Sequence, residues 1–169
     1  MPFWNKTKKI EGIIKLSKNL KKRYDKKIIK KLKDIKDCFY DKSEINKILK
    51  RKNPLIYRVF IKKIKDINVG LTVMESGTVG KEFYFTKGHK HKKPSSEIYI
   101  LLKGKGNLII QNKKIRVIKL QKNKKYIVPK KSAHRLINIG NKKLEVLAIY
   151  RMDAGHNYHV KFKKRLFKK

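Results

Sequence analysis

Cysteine is almost absent from this sequence, since Cys38 is the only one among 169 residues. A single thiol cannot form a disulfide within the chain, so a disulfide-stapled scaffold is excluded, and we expect a reducing, cytoplasmic location. No run approaches the roughly 20 apolar residues that span a bilayer, and lysines from Lys6 onward interrupt any signal-peptide core. We therefore expect no membrane partner.

Acidic residues are also scarce, since 12 Asp and Glu face 49 Lys and Arg and the formal net charge is +37. Such a field attracts anions, including phosphorylated substrates, and salt weakens the attraction. Strong basicity also indicates nucleic-acid binding. However, only seven of the basic residues are arginines, and both halves of the chain are basic. We interpret the charge as a compositional bias that allows at most non-specific nucleic-acid binding.

The composition changes near residue 54. Before it, helical spacing of apolar residues predicts a helix over residues 17–37, with its stripe at Leu20, Tyr24, Ile28, Ile29, Leu32 and Ile35. A second helix is predicted over residues 43–51, capped by Ser43 and stopped by Asn53 and Pro54. We interpret residues 1–53 as a basic helical arm packed on the domain that follows. The alternative, an arm that lies on nucleic acid or an anionic membrane, stays open.

After Pro54 the pattern becomes short and rich in β-forming residues. Turn signals such as the one at residues 104–106 separate the runs. The predicted strands are residues 55–64, 69–74, 82–86, 97–102, 107–111, 115–120, 126–128, 134–139 and 144–150. Many short strands at close spacing predict a mainly β fold, a small antiparallel barrel or sandwich, over residues 54–160. Residues 161–169 are predicted to be a basic tail that frays.

Three histidines and one glutamate are candidate metal ligands. His89 and His91 form an H-x-H pair, and alternate side chains of a strand share a face, so both imidazoles point the same way. Glu97 stands at the start of the next strand, and a barrel can return His134 to the same place. Three imidazoles and a carboxylate suit Fe(II), Mn(II), Ni(II) or Zn(II).

The residues around these ligands resemble the two motifs of the cupin family. Glu97 is followed after six residues by Gly104, and His134 is framed by Pro129 and Asn138. The resemblance implies a cupin jelly-roll barrel. Two positions that hold glycine in the general pattern differ here. Asn123 tolerates the left-handed backbone of glycine, whereas Lys131 suggests a different local turn.

A narrower resemblance is to the cupin-type glucose-6-phosphate isomerases of archaea. Residues 77–91 read GTVGKEFYFTKGHKH, residues 97–106 read EIYILLKGKG, residues 148–150 read AIY and residues 153–158 read DAGHNY. The likeness covers residues 34–158, and the longer gap between His91 and Glu97 is also typical of this family. The resemblance implies a metal-dependent interconversion of glucose 6-phosphate and fructose 6-phosphate.

The family resemblance also implies roles for individual residues. Glu97 is a metal ligand and a candidate catalytic base, His156 a candidate acid for opening the sugar ring, and Tyr99 a group that orients Glu97 or substrate. Five residues match the positions that hold the phosphate: Thr72, Thr86, Gly88, Tyr150 and Tyr158. Tyr57 is a weaker candidate for the same pocket, and His159 is expected at the surface. Without the resemblance, structural roles explain His156 and Tyr99 equally well, and ordinary strand positions are the better explanation for the phosphate set.

The resemblance further implies one divalent metal per subunit, with Fe(II) favoured, and a homodimer. Two alternatives remain open at this stage. One is another metal-dependent cupin enzyme, either an oxygenase or a different sugar-phosphate isomerase. The other is a non-catalytic cupin whose basic arm binds nucleic acid, which would show a steep salt dependence. The residues do not distinguish an enediol from a hydride-shift route.

Overall fold

The structure, a computed structural model, describes residues 4–169, with side chains described from residue 11 onward. The helical elements lie near the N-terminus: α1 Trp4–Leu20, α2 Leu32–Ile35, a 3-10 turn Lys36–Cys38 and α3 Lys42–Arg51. Among these residues, no helix is both long and apolar enough to cross a membrane.

Strands make up most of the chain from residue 55 onward. The described residues form β1 Lys26–Lys31, β2 Leu55–Ile64, β3 Ile67–Met74, β4 Thr78–Val79, β5 Glu82–Phe83, β6 Lys90–His91, β7 Glu97–Lys103, β8 Gly106–Gln111, β9 Ile115–Lys119, β10 Lys125–Val128, β11 Ala133–Asn138, β12 Leu144–Arg151 and β13 His156–Asn157. Every strand predicted from residue 55 onward is present, although the run at residues 82–86 keeps regular pairing only to Phe83.

Two antiparallel sheets face each other across the main core. The larger has the order β1-β2-β3-β12-β7-β10 and the smaller β11-β8-β9, with β6-β13 and β4-β5 as two-stranded ribbons. Backbone bridges from Phe85 to Ile137 and from His89 to His134 attach the segment between β5 and β6 to β11. Buried residues of both sheets, including Leu101 on β7, meet in one apolar cluster. The mainly β, antiparallel cupin barrel is therefore confirmed.

Helix α1 covers the outer face of the larger sheet. Leu20 is buried there, and Ile13 and Leu16 pack on the same cluster as Phe60 and Leu147 of the sheet. Removing such an apolar stripe from water stabilises the contact. Helix α1 therefore packs on the barrel through this apolar stripe.

The helix predicted over residues 17–37 is wrong between Leu20 and Leu32. Residues 26–31 form β1, which pairs with the edge of β2, placing Ile28 opposite Val59. An edge strand presents unpaired N–H and C=O groups, and pairing them outweighs a weak helical preference. The arm over residues 1–53 is therefore not wholly helical, because this strand joins the barrel sheet.

Helix α3 confirms the helix predicted over residues 43–51, but its N-cap differs. The Asp41 carboxylate accepts the backbone N–H of Glu44 at 2.9 Å, so the predicted cap at Ser43 is wrong. The helix begins one residue earlier than predicted, at Lys42, which places Ser43 inside its first turn. Its end at Arg51, shortly before Pro54, agrees with the prediction.

The prediction that residues 161–169 fray is wrong, because buried partners hold this segment. The Phe162 ring is buried and lies 4.2 Å from the guanidinium carbon of Arg135. Arg165 Nη1 donates to Glu82 Oε1 at 2.7 Å, and the Glu82 side chain is only 2% exposed. The segment is rich in lysine, but it also contains Phe162, Leu166 and Phe167. Contacts of such residues, and not the lysines, attach it to the barrel.

Lys131 does not make a different turn, contrary to the expectation. Lys131 and Asn123 both adopt a φ of 61°, the left-handed conformation that glycine would supply at these positions. A side chain other than Asn or Gly is strained there. The backbone of both turns is therefore preserved despite the loss of glycine.

Candidate metal centre

Four side chains from three parts of the barrel converge at one point. His91 lies on β6, Glu97 begins β7, and His134 lies on β11. Two backbone hydrogen bonds between His89 and His134, at 3.1 and 2.9 Å, hold the H-x-H segment against β11. One ligand atom from each of the four residues lies within 4.8 Å of the others. The structure therefore brings together all four candidate ligands.

The three imidazoles surround one oxygen of the carboxylate. Nε2 of His134, His91 and His89 lies 2.7, 3.1 and 3.6 Å from Glu97 Oε2. The side chains of His91, His134 and Glu97 are at most 2% exposed. Solvent therefore offers little screening inside this cluster.

Backbone carbonyls lie behind two of the imidazoles, at hydrogen-bonding distance from Nδ1. Nδ1 of His91 faces the carbonyl of Ser95 at 3.1 Å, and Nδ1 of His134 faces that of Ser132 at 3.3 Å. A proton on Nδ1 leaves the Nε2 lone pair pointing at the cluster, as in metal-ligating histidines.

Two nitrogens in the cluster lack a hydrogen-bond partner. Nε2 of His89 and Nε2 of His91 are buried, and neither has a hydrogen-bond partner among the described residues. Facing lone pairs and a carboxylate repel each other unless a cation lies between them. The donor set thus fits a divalent cation such as Fe(II), Mn(II), Ni(II) or Zn(II).

The electrostatics of the cluster favour an ionised carboxylate. Burial alone would raise the pKa of Glu97, but the imidazoles, His134 foremost, hold that pKa well below its usual range. Burial lowers the pKa of His89. Burial would also lower the pKa of His91, but the neighbouring Glu97 reverses the sign and raises it. An ionised carboxylate and neutral imidazoles are the forms that bind metals.

A cavity opens beside the cluster, and the predicted site residues other than His91 line it. His91 lies behind the cavity wall, with its ring 5.5 Å from that of His134. The lining residues that were predicted are Tyr57, Thr72, Thr86, Gly88, His89, Glu97, Tyr99, His134, Tyr150, His156 and Tyr158. His159 is exposed, as expected.

His156 and Tyr99 lie directly against the imidazoles. The ring of His156 is 4.1 Å from that of His89, and burial lowers the pKa of His156 to about 4. The ring of Tyr99 is 5.7 Å from that of His134. Burial and the neighbouring Glu97 raise the pKa of Tyr99 well above its usual value, so its hydroxyl stays protonated.

The residues matched to phosphate binding all line the cavity, and two of them, Thr86 and Gly88, belong to the wall formed by residues 86–88. The Thr86 hydroxyl accepts the backbone N–H of Leu136 at 3.0 Å, which leaves its own proton free to donate. The backbone N–H of Lys87 donates to the Tyr57 hydroxyl at 3.3 Å. Gly88 lines the cavity with a φ of +76°, a backbone conformation that favours glycine.

Sequence reasoning missed seven residues of the cavity wall: Val59, Ile61, Gly70, Leu136, Ala148, Ile28 and Lys30. The last two, Ile28 and Lys30, lie on β1, which was predicted to be helical. The Ile28-Ile29 pair, β-branched and flanked by lysines on both sides, was the signal for a strand. The same pair also fits the apolar stripe of a helix. Pairing with the edge of β2 selects the strand.

The facing antiparallel sheets, with an H-x-H pair, a glutamate and a distant histidine converging between them, define a cupin barrel with a candidate metal site. A solved oxalate decarboxylase from Bacillus subtilis shares the fold, with a TM-score of 0.50 and 22% identity over 60% of this chain and 26% of that one. The sequence model described as glucose-6-phosphate isomerase matches residues 34–166. This chain belongs to that family.

Relatives of known name agree with this assignment. A glucose-6-phosphate isomerase of Pyrococcus abyssi is 40% identical over 140 residues, which are 79% of this chain and 74% of the relative. The protein of the same name from Thermococcus kodakarensis is 41% identical over the same shares. A putative glucose-6-phosphate isomerase 2 of Rhizobium meliloti is 35% identical over 98 residues, 56% of this chain and 49% of the relative.

Proposed function

We propose that this chain is a metal-dependent aldose-ketose isomerase that interconverts glucose 6-phosphate and fructose 6-phosphate. One observation carries the proposal. Three of the four clustered candidate ligands, His89, Glu97 and His134, line the same cavity as the hydroxyl groups suited to a phosphate. Family membership supplies the substrate class, because the relatives from Pyrococcus abyssi and Thermococcus kodakarensis are named glucose-6-phosphate isomerases.

The reaction needs groups that polarise two oxygens and groups that move protons. A divalent metal held by His89, His91, Glu97 and His134 supplies Lewis-acid polarisation of the substrate oxygens. Hydrogen leaves one of the carbons C1 and C2 and arrives at the other, and a proton moves between their oxygens, so no oxidant or reductant is consumed.

Two side chains are assigned to the proton transfers. All three imidazoles contact Oε2 of Glu97, so Oε1 is the atom that we assign as base. His156 lies beside His89 at the cavity wall, and we assign it to opening of the sugar ring. Tyr99, protonated and buried beside both Glu97 and His134, orients the carboxylate or the substrate.

The phosphate is assigned to a second group of polar atoms that line the same cavity. Thr72, Thr86, Tyr150 and Tyr158 offer hydroxyl donors, and Gly88 allows close approach of a backbone N–H. Hydrogen bonds to an ionised acceptor are stronger than neutral ones, so this set favours a dianion over a neutral sugar. An oxygenase would have no use for these donors together, which favours the isomerase among cupin enzymes.

The test is turnover of fructose 6-phosphate, followed by coupling the glucose 6-phosphate formed to a dehydrogenase. The protein is assayed before and after chelation and with Fe(II), Mn(II), Ni(II) and Zn(II) added in turn, and we expect Fe(II) to restore the highest rate. Metal binding is measured independently as a rise in melting temperature. Absence of turnover in folded, metal-loaded protein would reject the isomerase and favour a binding protein.

Variants separate metal ligands from other site residues. We expect His134→Ala to lose both the metal and turnover, because it removes a ligand from inside the cluster. His156→Gln should keep the metal and lose turnover, since His156 touches His89 without belonging to the ligand set. His159→Gln is the matched control, because His159 is exposed and should keep both. Turnover retained by His134→Ala would reject the ligand assignment.

We also propose a homodimer. The larger sheet ends at β10, an open edge strand on which Ile127 is 57% exposed. Open edges and exposed apolar side chains favour pairing with a second copy. Light scattering after size exclusion is the test, and a monomer at micromolar concentration would contradict the proposal.

A nucleic-acid-binding role makes a different prediction. It requires affinity with a steep salt slope and loss of function when residues 1–33 are removed. However, α1 places its apolar stripe on the sheet and β1 joins it, so this segment is part of the barrel. We therefore expect only weak, salt-sensitive binding that lacks sequence preference.

A further inference from the structure

The first strand of the larger sheet reaches the cavity. β1 pairs with β2, with Ile28 opposite Val59 and Lys30 opposite Tyr57. Ile28 and Lys30 are partly buried and line the cavity, whereas Ile29 between them is 47% exposed. The alternation of a strand therefore directs Lys30 inward.

The inward face of the sheet is continuous from β1 to β7. Register partners such as Val59 and Thr72, Ala148 and Tyr99, and Tyr150 and Glu97 lie on the same face, and all of these residues line the cavity. Lys30 belongs to the outermost row of this face. The cavity wall is thus incomplete without β1.

The position of Lys30 along the cavity follows from its partner Tyr57. The Tyr57 hydroxyl accepts the backbone N–H of Lys87, which lies between Thr86 and Gly88. Lys30 is therefore next to Tyr57, whose hydroxyl contacts the cavity wall at residues 86–88, where we assign the phosphate.

Lys30 also differs in charge from the rest of the wall. Among the residues that line the cavity, it is the only lysine or arginine. None of the ion pairs found among the described side chains involves Lys30. The hydroxyl donors assigned to the phosphate are neutral, so Lys30 is the cationic residue of the lining that a bound phosphate dianion would meet. Lys87, outside the lining, places its ammonium 5.8 Å from the centroid of the Tyr158 ring.

We propose that Lys30 binds the phosphate group of the substrate and selects phosphorylated sugars over neutral ones. The proposal rests on the proposed function for the sugar phosphate, but it concerns a residue outside the part of the chain matched by the family model, residues 34–166. The ammonium group acts as a point charge that supplements the neutral hydroxyl donors.

The experiment measures binding of an inert ligand to the metal-loaded, full-length protein. Sorbitol 6-phosphate has no carbonyl group and cannot isomerise, so its calorimetric Kd reports recognition alone. Sorbitol is the unphosphorylated comparison. The variants are Lys30→Met and Lys30→Arg, with Lys26→Met as the matched control. Lys26 lies on β1 with the same parity, but it is exposed and does not line the cavity.

We expect Lys30→Met to weaken sorbitol 6-phosphate binding by roughly tenfold or more, as for a lost charged contact to an anion. Lys30→Arg should restore binding to within about threefold, and Lys26→Met should change it by less than about twofold, because an exposed charge is screened. In turnover of fructose 6-phosphate, Lys30→Met should raise KM and leave kcat nearly unchanged. Metal content and melting temperature should match those of the parent protein.

Equal losses in Lys30→Met and Lys26→Met would overturn the proposal, because the general positive field would then explain both. Unchanged binding in Lys30→Met would also overturn it. Lys30-dependent binding of sorbitol 6-phosphate without turnover of fructose 6-phosphate would support the Lys30 contact and reject the isomerase. Turnover of fructose 6-phosphate together with unchanged binding in Lys30→Met would support the isomerase and reject the Lys30 contact.

Discussion

A Cβ atom added to Gly88 would lie 2.5 Å from Cε2 of the Phe162 ring. The same atom would lie 2.9 Å from the carbonyl oxygen of His134. Gly88 directly precedes His89, so the C-terminal segment packs against the peptide that carries a candidate metal ligand. The packing of residues 161–169 and the geometry of the cluster are therefore linked.

Gly88→Ala should lower both metal content and stability. The substitution places a methyl group against backbone and an aromatic ring, and the φ of +76° disfavours any side chain. We expect a metal stoichiometry well below that of the parent protein, measured by atomic absorption, and a lower melting temperature. Gly12→Ala is the control, because a Cβ there meets nothing within 4 Å, and helix propensity should raise stability by about 1 kcal/mol. Full metal occupancy in Gly88→Ala would contradict the link.

Phe162→Ala should destabilise the protein by about 3–5 kcal/mol, the usual loss for a buried phenylalanine. The variant also uncovers the guanidinium of Arg135, which lies between the rings of Phe85 and Phe162 at 4.1 and 4.2 Å. Urea denaturation measures the change. Phe167→Ala is the control, because Phe167 is 47% exposed. This variant should lose clearly less stability than Phe162→Ala. Equal losses of stability in the two variants would show that contacts other than those of Phe162 hold residues 161–169.

Arg165→Met should destabilise the protein by roughly 3 kcal/mol, because it leaves a buried Glu82 carboxylate with only the backbone N–H of Tyr40, at 2.8 Å. The comparison is Lys93→Met, which breaks a surface pair with Asp153 and should cost less than about 1 kcal/mol. Guanidinium denaturation is unsuitable because it screens charge, so urea is used. A loss below that of Lys93→Met would refute the importance of the buried pair.

Asp41→Ala should destabilise the protein by about 1 kcal/mol through loss of the α3 cap. Ser43→Ala should have little effect, because Ser43 lies within the first turn and not at the cap. Thermal melts of both variants distinguish the two assignments. A larger loss of stability in Ser43→Ala than in Asp41→Ala would support Ser43 as the cap, as predicted from the sequence.

The barrel strands were predictable because their signals are local. Alternating apolar residues and turn residues recur within a few positions, and each predicted run from residue 55 onward corresponds to an observed strand. β1 was mispredicted because its apolar pair fits two periods, and only the edge of β2 selects one of them. The C-terminal segment was mispredicted because its partners, Glu82 and Arg135, are distant along the chain.

The amino-acid sequence by itself determined the strand pattern, the ligand types at His89, His91, Glu97 and His134, and the resemblance to an isomerase family. These depend on residue identity and short spacing, which the chain carries directly. Only the tertiary structure decided that the ligand atoms meet within 4.8 Å, that Lys30 faces the cavity and that Phe162 supports Gly88. Such relationships depend on which strands pair and which faces meet, and both are settled by hydrogen bonding and burial across the whole barrel.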